Sequence, residues 1–241
     1  MSGKVIETDF SRGIQLQHVA DFEFSSDPGE SNRIIVFPQY TYQHWIGFGG
    51  AFTESAGYTL SKMSEEKQDE MMHAYFGENG IGYNFCRNHI NSCDFSLDNY
   101  AYVDDENDVN FETFDISEDK KYIIPMIKKA QSVSKGTIKL LASPWSPPPF
   151  MKDTKQMNLG GKLLPECREA WAKYIARYIK EYQKEGIEIS MLTIQNEPNA
   201  TQTWDSCRYD ALEESDFGTR YLVPTLKGEG LGNVEVLFWD Q

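Results

Sequence analysis

The stretch TIQNEPN, residues 193–199, places an amide and a carboxylic acid directly after an apolar, strand-like segment. Polar side chains such as those of Asn196 and Glu197 are unfavourable within a buried strand, so the polar pair indicates a strand end that faces a ligand. Glu197 can act as a general acid. Because a residue before proline avoids the helical region, Pro198 predicts an extended backbone that aims this carboxyl rigidly. The alternative is a loop carboxylate in a turn that begins a helix, and composition alone does not separate the two.

Comparable side chains follow the other strand-like segments. One segment contains Arg87 and is followed by Asp94, another runs into Ser143, Pro144 and Trp145, and the last segment ends in Trp239, Asp240 and Gln241. A carboxylate can accept from two adjacent hydroxyls, and an amide can both donate and accept. A tryptophan can lie on the apolar face of a pyranose ring. The set therefore suits a neutral, hydroxyl-rich ligand, although most of the 5 Trp and 13 Tyr are expected to be core or rim aromatics.

Charge and cysteine usage argue against several other classes of protein. The formal net charge is −14, without a Lys/Arg cluster, so a nucleic-acid partner is not expected. The sequence has no apolar run long enough for a membrane span, and the first residues, MSGKVIETDF, do not resemble a signal peptide. We therefore predict a cytoplasmic location. No metal site or cofactor is predicted, because the 4 His residues do not cluster with the scattered cysteines Cys86, Cys93, Cys167 and Cys207.

The elements that must position these side chains alternate between strands and helices. The predicted strands are GFGGAF, GYNFCRNHI, GTIKLLAS, EISMLTI and NVEVLFWDQ. Four helices are predicted. The first begins after Ser64 and ends at Gly77, and the second begins at Ser117 with a kink or restart at Pro125. The third has an apolar face from Trp171 to Tyr182 and stops at Gly186, and the fourth covers about 213–227. The long polar stretch NSCDFSLDNYAYVDDENDVNFETFD is expected to be a functional loop.

Residues 1–45 lack this alternation. IQLQHV and RIIVFP are strand-like and SSDPGES is turn-like, which predicts a small N-terminal β element ahead of a domain that spans 46–241. Apolar strands that alternate with helices predict an α/β fold with a parallel sheet. An open doubly wound sheet usually carries a phosphate loop, and GFGGAF has neither the GxGxxG spacing nor a GK[ST] ending. Polar residues at several successive strand ends favour a (β/α)8 TIM barrel.

Four blocks in this order, GFGGAFTESAGY, GIGYNFCRNHINSCDFSLDNYAY, LLASPWSPPPFMK and TIQNEP, resemble glycoside hydrolase family 30, the glucosylceramidase-like family. The resemblance covers about residues 46–241. It implies a (β/α)8 barrel joined to a small β domain built partly from N-terminal strands, and it implies retaining hydrolysis of β-glycosides. By position, Glu197 resembles the family's acid/base, Asn196 the amide at the sugar 2-hydroxyl and Arg87 the arginine that orients the nucleophile.

Further binding residues follow from the same resemblance. Asp94 and Trp145 resemble the sugar-binding pair of the family, and Gln241 is expected to line the site. The segment QTWDSCRYDALEE, residues 202–214, follows the acid/base and should shape the leaving-group side. Trp204 within it is either an aglycone platform or rim packing, and the platform is favoured.

The nucleophile of the family is a glutamate at the end of strand seven, whereas this chain is expected to stop after about strand five. The barrel would then be truncated, the second carboxylate would lie downstream, and residues 1–241 alone would be inactive. Retaining hydrolysis needs both carboxylates about 5 Å apart. Two other interpretations stay open: a non-catalytic sugar-binding fragment, and a half-barrel that needs the missing C-terminal half or another copy. Glucosylceramide, β-1,6-glucan, β-glucosides and β-xylosides are all candidate substrates, and a soluble glycoside is favoured over a lipid.

Overall fold

The structure is a computed structural model that describes residues 2–26 and 34–240. The contacts divide the chain into two compact units, residues 1–44 and residues 45–241, and each is described by itself. Most of the predicted turn SSDPGES, and the predicted site residue Gln241, lie outside the described residues.

The N-terminal unit contains one antiparallel hairpin, formed by β1 (Ser2–Asp9) and β2 (Ile14–Glu23). A short 3-10 turn, Phe10–Arg12, joins the two strands, and Gly13 follows it with φ +67°, a left-handed value that glycine adopts without steric cost. The strand predicted at IQLQHV is confirmed within β2. The strand predicted at RIIVFP is wrong over its described residues, 34–38, which pair with no other segment of the described chain.

The second unit is built on a five-stranded parallel sheet, which confirms the α/β prediction. Its strands lie side by side in chain order: β3 (Ala51–Phe52), β4 (Phe85–Ile90), β5 (Lys139–Pro144), β6 (Met191–Thr193) and β7 (Glu235–Leu237). One row crosses the whole sheet in register, through Ala51, Arg87, Leu141, Met191 and Glu235. Residues that follow the strands therefore meet at one edge, the carboxyl edge, as the sequence analysis requires for a shared site.

Helices connect the strands in the alternating order that the sequence predicts. They are α1 (Glu54–Ser61), α2 (Glu65–Phe76), α3 (Ser117–Lys121), α4 (Ile123–Val133), α5 (Arg168–Lys184), α6 (Ala211–Phe217) and α7 (Val223–Gly228), with one π-helical stretch, Gly218–Leu222, between the last two. Ser64 caps α2 as predicted, since its side chain accepts from the Lys67 N–H. The restart near Pro125 is confirmed, because α4 begins at Ile123. Pro125 then lies in the first turn of the helix, where backbone N–H groups have no partner within the helix, so the N–H that proline lacks is not missed. The sequence analysis missed α1, which Thr53 caps.

Among the helices of the described residues, α5 contributes the most buried side chains to the core. The residues that its 3- and 4-residue spacing marked are all buried: Trp171, Tyr174, Ile175, Tyr178, Ile179 and Tyr182. Burying one such side chain contributes about 1.5 to 3 kcal/mol, so this face alone accounts for a large part of the core. Gly186 has φ +77° just after the helix, which confirms it as the stop.

The long loop between β4 and α3 is anchored by a buried carboxylate. Asp119, on α3, accepts hydrogen bonds of 2.7 Å each from the phenols of Tyr100, Tyr102 and Tyr182. Two of these tyrosines belong to the loop, and the third belongs to α5. Burial raises the pKa of the Asp119 carboxyl to about 6. The loop is therefore fastened to two helices at a single point.

Among the described residues, no helix combines the length and the apolar character needed to cross a bilayer.

Candidate active site

A pocket of about 240 Å³ opens at the carboxyl edge of the sheet. Its walls come from residues within β3 and β4 and from the segments that follow β3, β4, β5 and β6. The pocket brings together six of the seven predicted site residues: Arg87, Asp94, Trp145, Asn196, Glu197 and Trp204. The seventh, Gln241, lies outside the described residues.

Arg87 is the centre of a polar network on the pocket floor. Its Nε donates to Ser143 Oγ at 2.9 Å, and its Nη2 donates to Asn196 Oδ1 at 2.9 Å. The same guanidinium forms an ion pair with Asp240, which follows β7. Thr193 Oγ1 donates within this network, 2.7 Å from Ser143 Oγ and 3.0 Å from Asp240 Oδ2. The network thus links four neighbouring strands, and Ser143, Thr193 and Asp240 had no assigned role in the sequence analysis.

Trp145 forms one wall of the pocket, and its ring is held from two directions. The Arg87 guanidinium lies over it, with Cζ 4.8 Å from the ring centroid, and the imidazole of His89 meets it edge-on at 6.3 Å. The backbone is fixed as well, because Gln195 Nε2 donates to the Trp145 carbonyl at 2.7 Å. A half-buried indole held in this way offers a rigid apolar face to a ligand.

The backbone of Glu197 differs from the sequence prediction. Its φ is +46°, in the left-handed region, so the extended conformation predicted from Pro198 is wrong. Two hydrogen bonds impose this conformation: the Glu197 N–H donates to the Asp240 carbonyl at 2.7 Å, and its own carbonyl accepts from the Ala200 N–H at 2.9 Å. A neighbouring strand end therefore outweighs the local preference set by the proline.

The side chain of Glu197 is half-buried and has one hydrogen-bond partner of particular interest. Gln202 Nε2 donates to Glu197 Oε2 at 3.1 Å. Asn196, the neighbouring residue, gives its amide oxygen to Arg87, so its NH₂ group is what it offers to a ligand. The acid and the amide thus lie side by side on the pocket wall, each with its orientation set by a neighbour.

Exposed side chains surround the mouth of the pocket. Asp94 is exposed there, close to Phe95 in the loop that follows β4. Trp204 lies on the side that follows Glu197, with 37% of its surface exposed. A carboxylate and two aromatic side chains that line the same pocket suit a ligand with hydroxyl groups and apolar ring faces.

Two pocket residues that the sequence analysis did not single out limit the possible chemistry. His89 is fully buried and neutral: burial lowers its pKa, its Nδ1 donates to the Asn91 carbonyl at 2.6 Å, and its Nε2 accepts from the Glu54 N–H at 3.3 Å. Burial raises the pKa of the Cys93 thiol to about 12, so this cysteine does not provide a thiolate nucleophile. Local sequence gave no signal for either residue, since both depend on packing from distant segments.

No cluster of His, Cys, Asp and Glu side chains with metal-binding geometry occurs within residues 2–26 and 34–240. The donors that do line the pocket, a carboxyl, an amide, a guanidinium and an indole, are those that bind neutral polyhydroxylated molecules.

Comparison with known proteins finds relatives that match almost the whole of this chain. The family model described as the glycosyl hydrolase family 30 TIM-barrel domain matches residues 45–241. The lysosomal acid glucosylceramidase of Mus musculus is 35% identical over 246 residues, which is 96% of this chain and 48% of the mouse protein. The chain spans about half the length of the curated relatives it matches.

Solved structures show the same architecture. The crystal structure of SrfJ from Salmonella typhimurium has a TM-score of 0.93 and 41% identity, and the match covers 100% of this chain and 54% of SrfJ. The endo-β1,6-glucanase BT3312 has a TM-score of 0.83 and 30% identity, with 95% of this chain and 50% of the glucanase covered. The five-stranded sheet described above is therefore consistent with part of a TIM barrel.

Proposed function

This chain belongs to glycosyl hydrolase family 30, and from that premise we propose that it carries the acid/base side of a retaining, glucosylceramidase-like β-glycosidase active site. One observation supports this proposal above the others: the pocket at the carboxyl edge holds an acid, an amide, an arginine and a tryptophan in contact with one another or with shared partners. Such a set can bind a pyranoside and protonate its glycosidic oxygen.

In the proposed mechanism Glu197 is the general acid. It gives its proton to the glycosidic oxygen as the nucleophile carboxylate bonds to the anomeric carbon and the aglycone leaves. Its own carboxylate then takes a proton from the water that attacks the same carbon and releases the nucleophile. Asn196 offers its amide NH₂ to the sugar 2-hydroxyl. Asp94 accepts from sugar hydroxyls, and Trp145 lies against the ring.

The nucleophile is the part of the mechanism that the described pocket does not supply. The acids that line it, among the described residues, are Asp94 and Glu197. Asp240 lies near the floor, but its carboxylate is paired with Arg87. We therefore place the nucleophile outside residues 1–241, at a position where the Arg87 network can orient it. Arg87 is then a positioning residue.

Substrate class and location are also part of the proposal. A β-glucoside, β-xyloside or β-glucan fits the pocket chemistry, and a lipid glycoside is a further candidate because five of the curated relatives are named as glucosylceramidases. A cytoplasmic location stays a prediction. The mouse relative is named as lysosomal, so microscopy of the tagged gene product is the deciding observation.

The proposal is tested by hydrolysis of 4-nitrophenyl β-glucoside and β-xyloside. We expect the full gene product to hydrolyse at least one of them, and the Glu197→Gln variant to lose about 10² to 10⁴ in rate. Proton NMR of the first product should show the β anomer, because a retaining enzyme preserves configuration. An initial α anomer would refute the retaining mechanism, and an unchanged rate in the variant would refute the role of Glu197.

A second candidate function applies to residues 1–241 by themselves. Because the described pocket supplies a general acid and sugar-binding groups without a placed nucleophile, this fragment should bind a glycoside without turning it over. Calorimetry with an unreactive glucoside measures that binding directly. Turnover by the fragment that disappears in Glu197→Gln would show that a carboxylate within these residues, or from another copy, acts as the nucleophile.

A further inference from the structure

The segment that follows the acid, residues 198–210, carries an amide that reaches back to the Glu197 carboxyl. Gln202 Nε2 lies 3.1 Å from Glu197 Oε2, and both side chains are half-buried. We propose that Gln202 is a positioning residue that holds Glu197 in line with the glycosidic oxygen throughout the reaction. This inference rests on the proposed function, because it concerns the direction in which the acid delivers its proton.

An amide suits this position because the acid changes its protonation state twice in each cycle. A carboxylate only accepts hydrogen bonds, whereas a carboxylic acid also donates one. Gln202 has an NH₂ group for the carboxylate and a carbonyl oxygen for the acid, so it can remain a partner in both states. A lysine or arginine could only donate, and it would favour the charged carboxylate over the acid that the first step needs.

The backbone of Gln202 is fixed on both sides, so its side chain starts from a defined point. Its N–H donates to Ser206 Oγ at 3.2 Å, and its carbonyl accepts from the Leu159 N–H at 2.9 Å. Ser206 is buried, and its Oγ also accepts from the Gly160 N–H at 2.9 Å. The segment that carries Gln202 is therefore joined to the loop between β5 and α5.

A buried lysine forms a second connection between these two segments. Lys152 is fully buried, and its ammonium donates to the carbonyls of Met157 at 2.9 Å and Ser206 at 2.6 Å. An ammonium buried in this way is costly unless its donors are satisfied, so the two carbonyls must stay in place. Lys152 thus joins the β5–α5 loop to residues 198–210, the segment that carries Gln202.

A second buried contact ties the same segment to the opposite side of the pocket. Ser92 Oγ donates to Asp205 Oδ1 at 2.6 Å, and both residues are buried. Ser92 belongs to the loop that carries Asp94, whereas Asp205 lies next to Trp204. Gln202 is therefore not on a loose loop: its own backbone is hydrogen-bonded, and two buried anchors follow it directly at Asp205 and Ser206, as the positioning of a proton donor requires.

The experiment compares two glucosides whose leaving groups differ in how much they depend on protonation by the general acid. Methyl β-glucoside has a poor leaving group that must be protonated, and 2,4-dinitrophenyl β-glucoside has one that leaves without help. The value of kcat/KM is measured because it reports the first step. In the full gene product, Gln202→Leu should lose about tenfold or more on the methyl glucoside, and about threefold or less on the dinitrophenyl glucoside.

Three further proteins complete the comparison. Glu197→Gln should show the same substrate bias with a larger loss. Gln156→Ala, the loss of an exposed glutamine in the neighbouring loop, should match the wild type on both substrates. Gln202→Asn keeps the amide on a shorter stem, and it should show a smaller loss with the same bias. If Gln202→Leu fails to fold, as judged by its thermal melt, Gln202→Asn carries the test.

The possible results separate this inference from the proposed function. A wild-type protein that hydrolyses neither glucoside, nor the corresponding xylosides, overturns the proposed function and this inference with it. If the wild type is active and Glu197→Gln shows the bias, equal losses on both substrates in the Gln202 variants, or no loss at all, overturn the inference alone. A bias that follows leaving-group ability in Glu197→Gln and in the folded Gln202 variants, and that is absent from Gln156→Ala, supports it.

Discussion

Glu197 holds its carboxyl on a backbone that only a few residue types adopt readily. A left-handed φ costs a residue with a side chain about 1 to 2 kcal/mol, and +46° lies in that region. The hydrogen bonds to the Asp240 carbonyl and from the Ala200 N–H offset this cost. The strain is therefore maintained by the strand ends around it, and it coincides with the residue to which we assign proton transfer.

The variant Arg87→Lys tests whether the site needs the planar guanidinium of Arg87 or only a positive charge. Arg87→Lys keeps the charge, but an ammonium cannot reach Ser143, Asn196 and Asp240 together or stack on the indole of Trp145. We expect kcat/KM of the full gene product on a 4-nitrophenyl glycoside to fall about 10- to 100-fold, which matches the loss of one or two hydrogen bonds to a charged group. Arg220→Lys, at an exposed ion pair on the surface, is the matched control and should have no effect.

Substitution of Trp204 distinguishes two roles for its side chain, contact with the aglycone and packing at the rim of the pocket. With 37% of its surface exposed beside the pocket, its ring can lie against an aromatic or other apolar leaving group. For the platform, Trp204→Ala should raise KM about tenfold for a 4-nitrophenyl glycoside and leave KM for a methyl glycoside unchanged, and Trp204→Phe should restore most of the difference. A lower melting temperature with equal KM changes for both substrates would support rim packing.

At the scale of elements, the anchor of the loop between β4 and α3 should respond to pH. Burial raises the pKa of Asp119 from 3.8 to about 6, so between these values the folded protein holds a proton there that the unfolded chain has lost. The contribution of Asp119 to the free energy of unfolding should therefore be largest below about pH 4 and decrease until about pH 6, by on the order of 2 to 3 kcal/mol.

Thermal unfolding between pH 4 and pH 7 measures this effect. Asp119→Asn cannot titrate, so the wild type should lose stability relative to this variant as pH rises across the window. Asp98→Asn controls for the removal of one carboxyl from the exposed surface of the same loop. Parallel pH profiles of the wild type and Asp119→Asn would contradict the prediction.

Elements with a strong local pattern were predictable from sequence, and elements defined by distant contacts were not. Helix α5 followed from apolar spacing, and β4 to β7 followed from apolar runs that end in polar residues. Helix α1 was missed because it has eight residues and a glycine, Gly57, in its middle. Most of the site residues were visible as polar residues at strand ends, and their individual roles came mainly from the family resemblance. Gln202 and His89 were missed because their partners are fixed only by the folded chain.

At the scale of the whole molecule, the outer edge of the described sheet matters most. Within the described residues β3 and β7 form the two edges, and Leu237, Phe238 and Trp239 are each more than a third exposed at the β7 edge. Unpaired strand edges with exposed apolar side chains tend to pair with another chain. The formal net charge of −14 opposes such association through repulsion, and added salt weakens that repulsion.

We therefore expect residues 1–241, expressed alone, to self-associate or to bind the C-terminal remainder that the proposed function places downstream, and to do so more strongly at higher salt. Sedimentation velocity at low and high ionic strength measures the association, and mixing with the separately expressed remainder tests for recovery of activity. A soluble monomer with a single cooperative melt at both ionic strengths would contradict this expectation.

The hydrogen bond from the Glu197 N–H to the Asp240 carbonyl also has a consequence in time. About 40 residues separate the two groups in the chain, and at about 5 to 20 residues per second a ribosome needs roughly 2 to 8 s to add them. During that interval the nascent chain already contains the acid, but the carbonyl that imposes its left-handed conformation does not yet exist. The left-handed conformation of Glu197 is therefore set only after α7 and β7 have been made, and a nascent chain halted before residue 240 lacks the hydrogen bond that supports it.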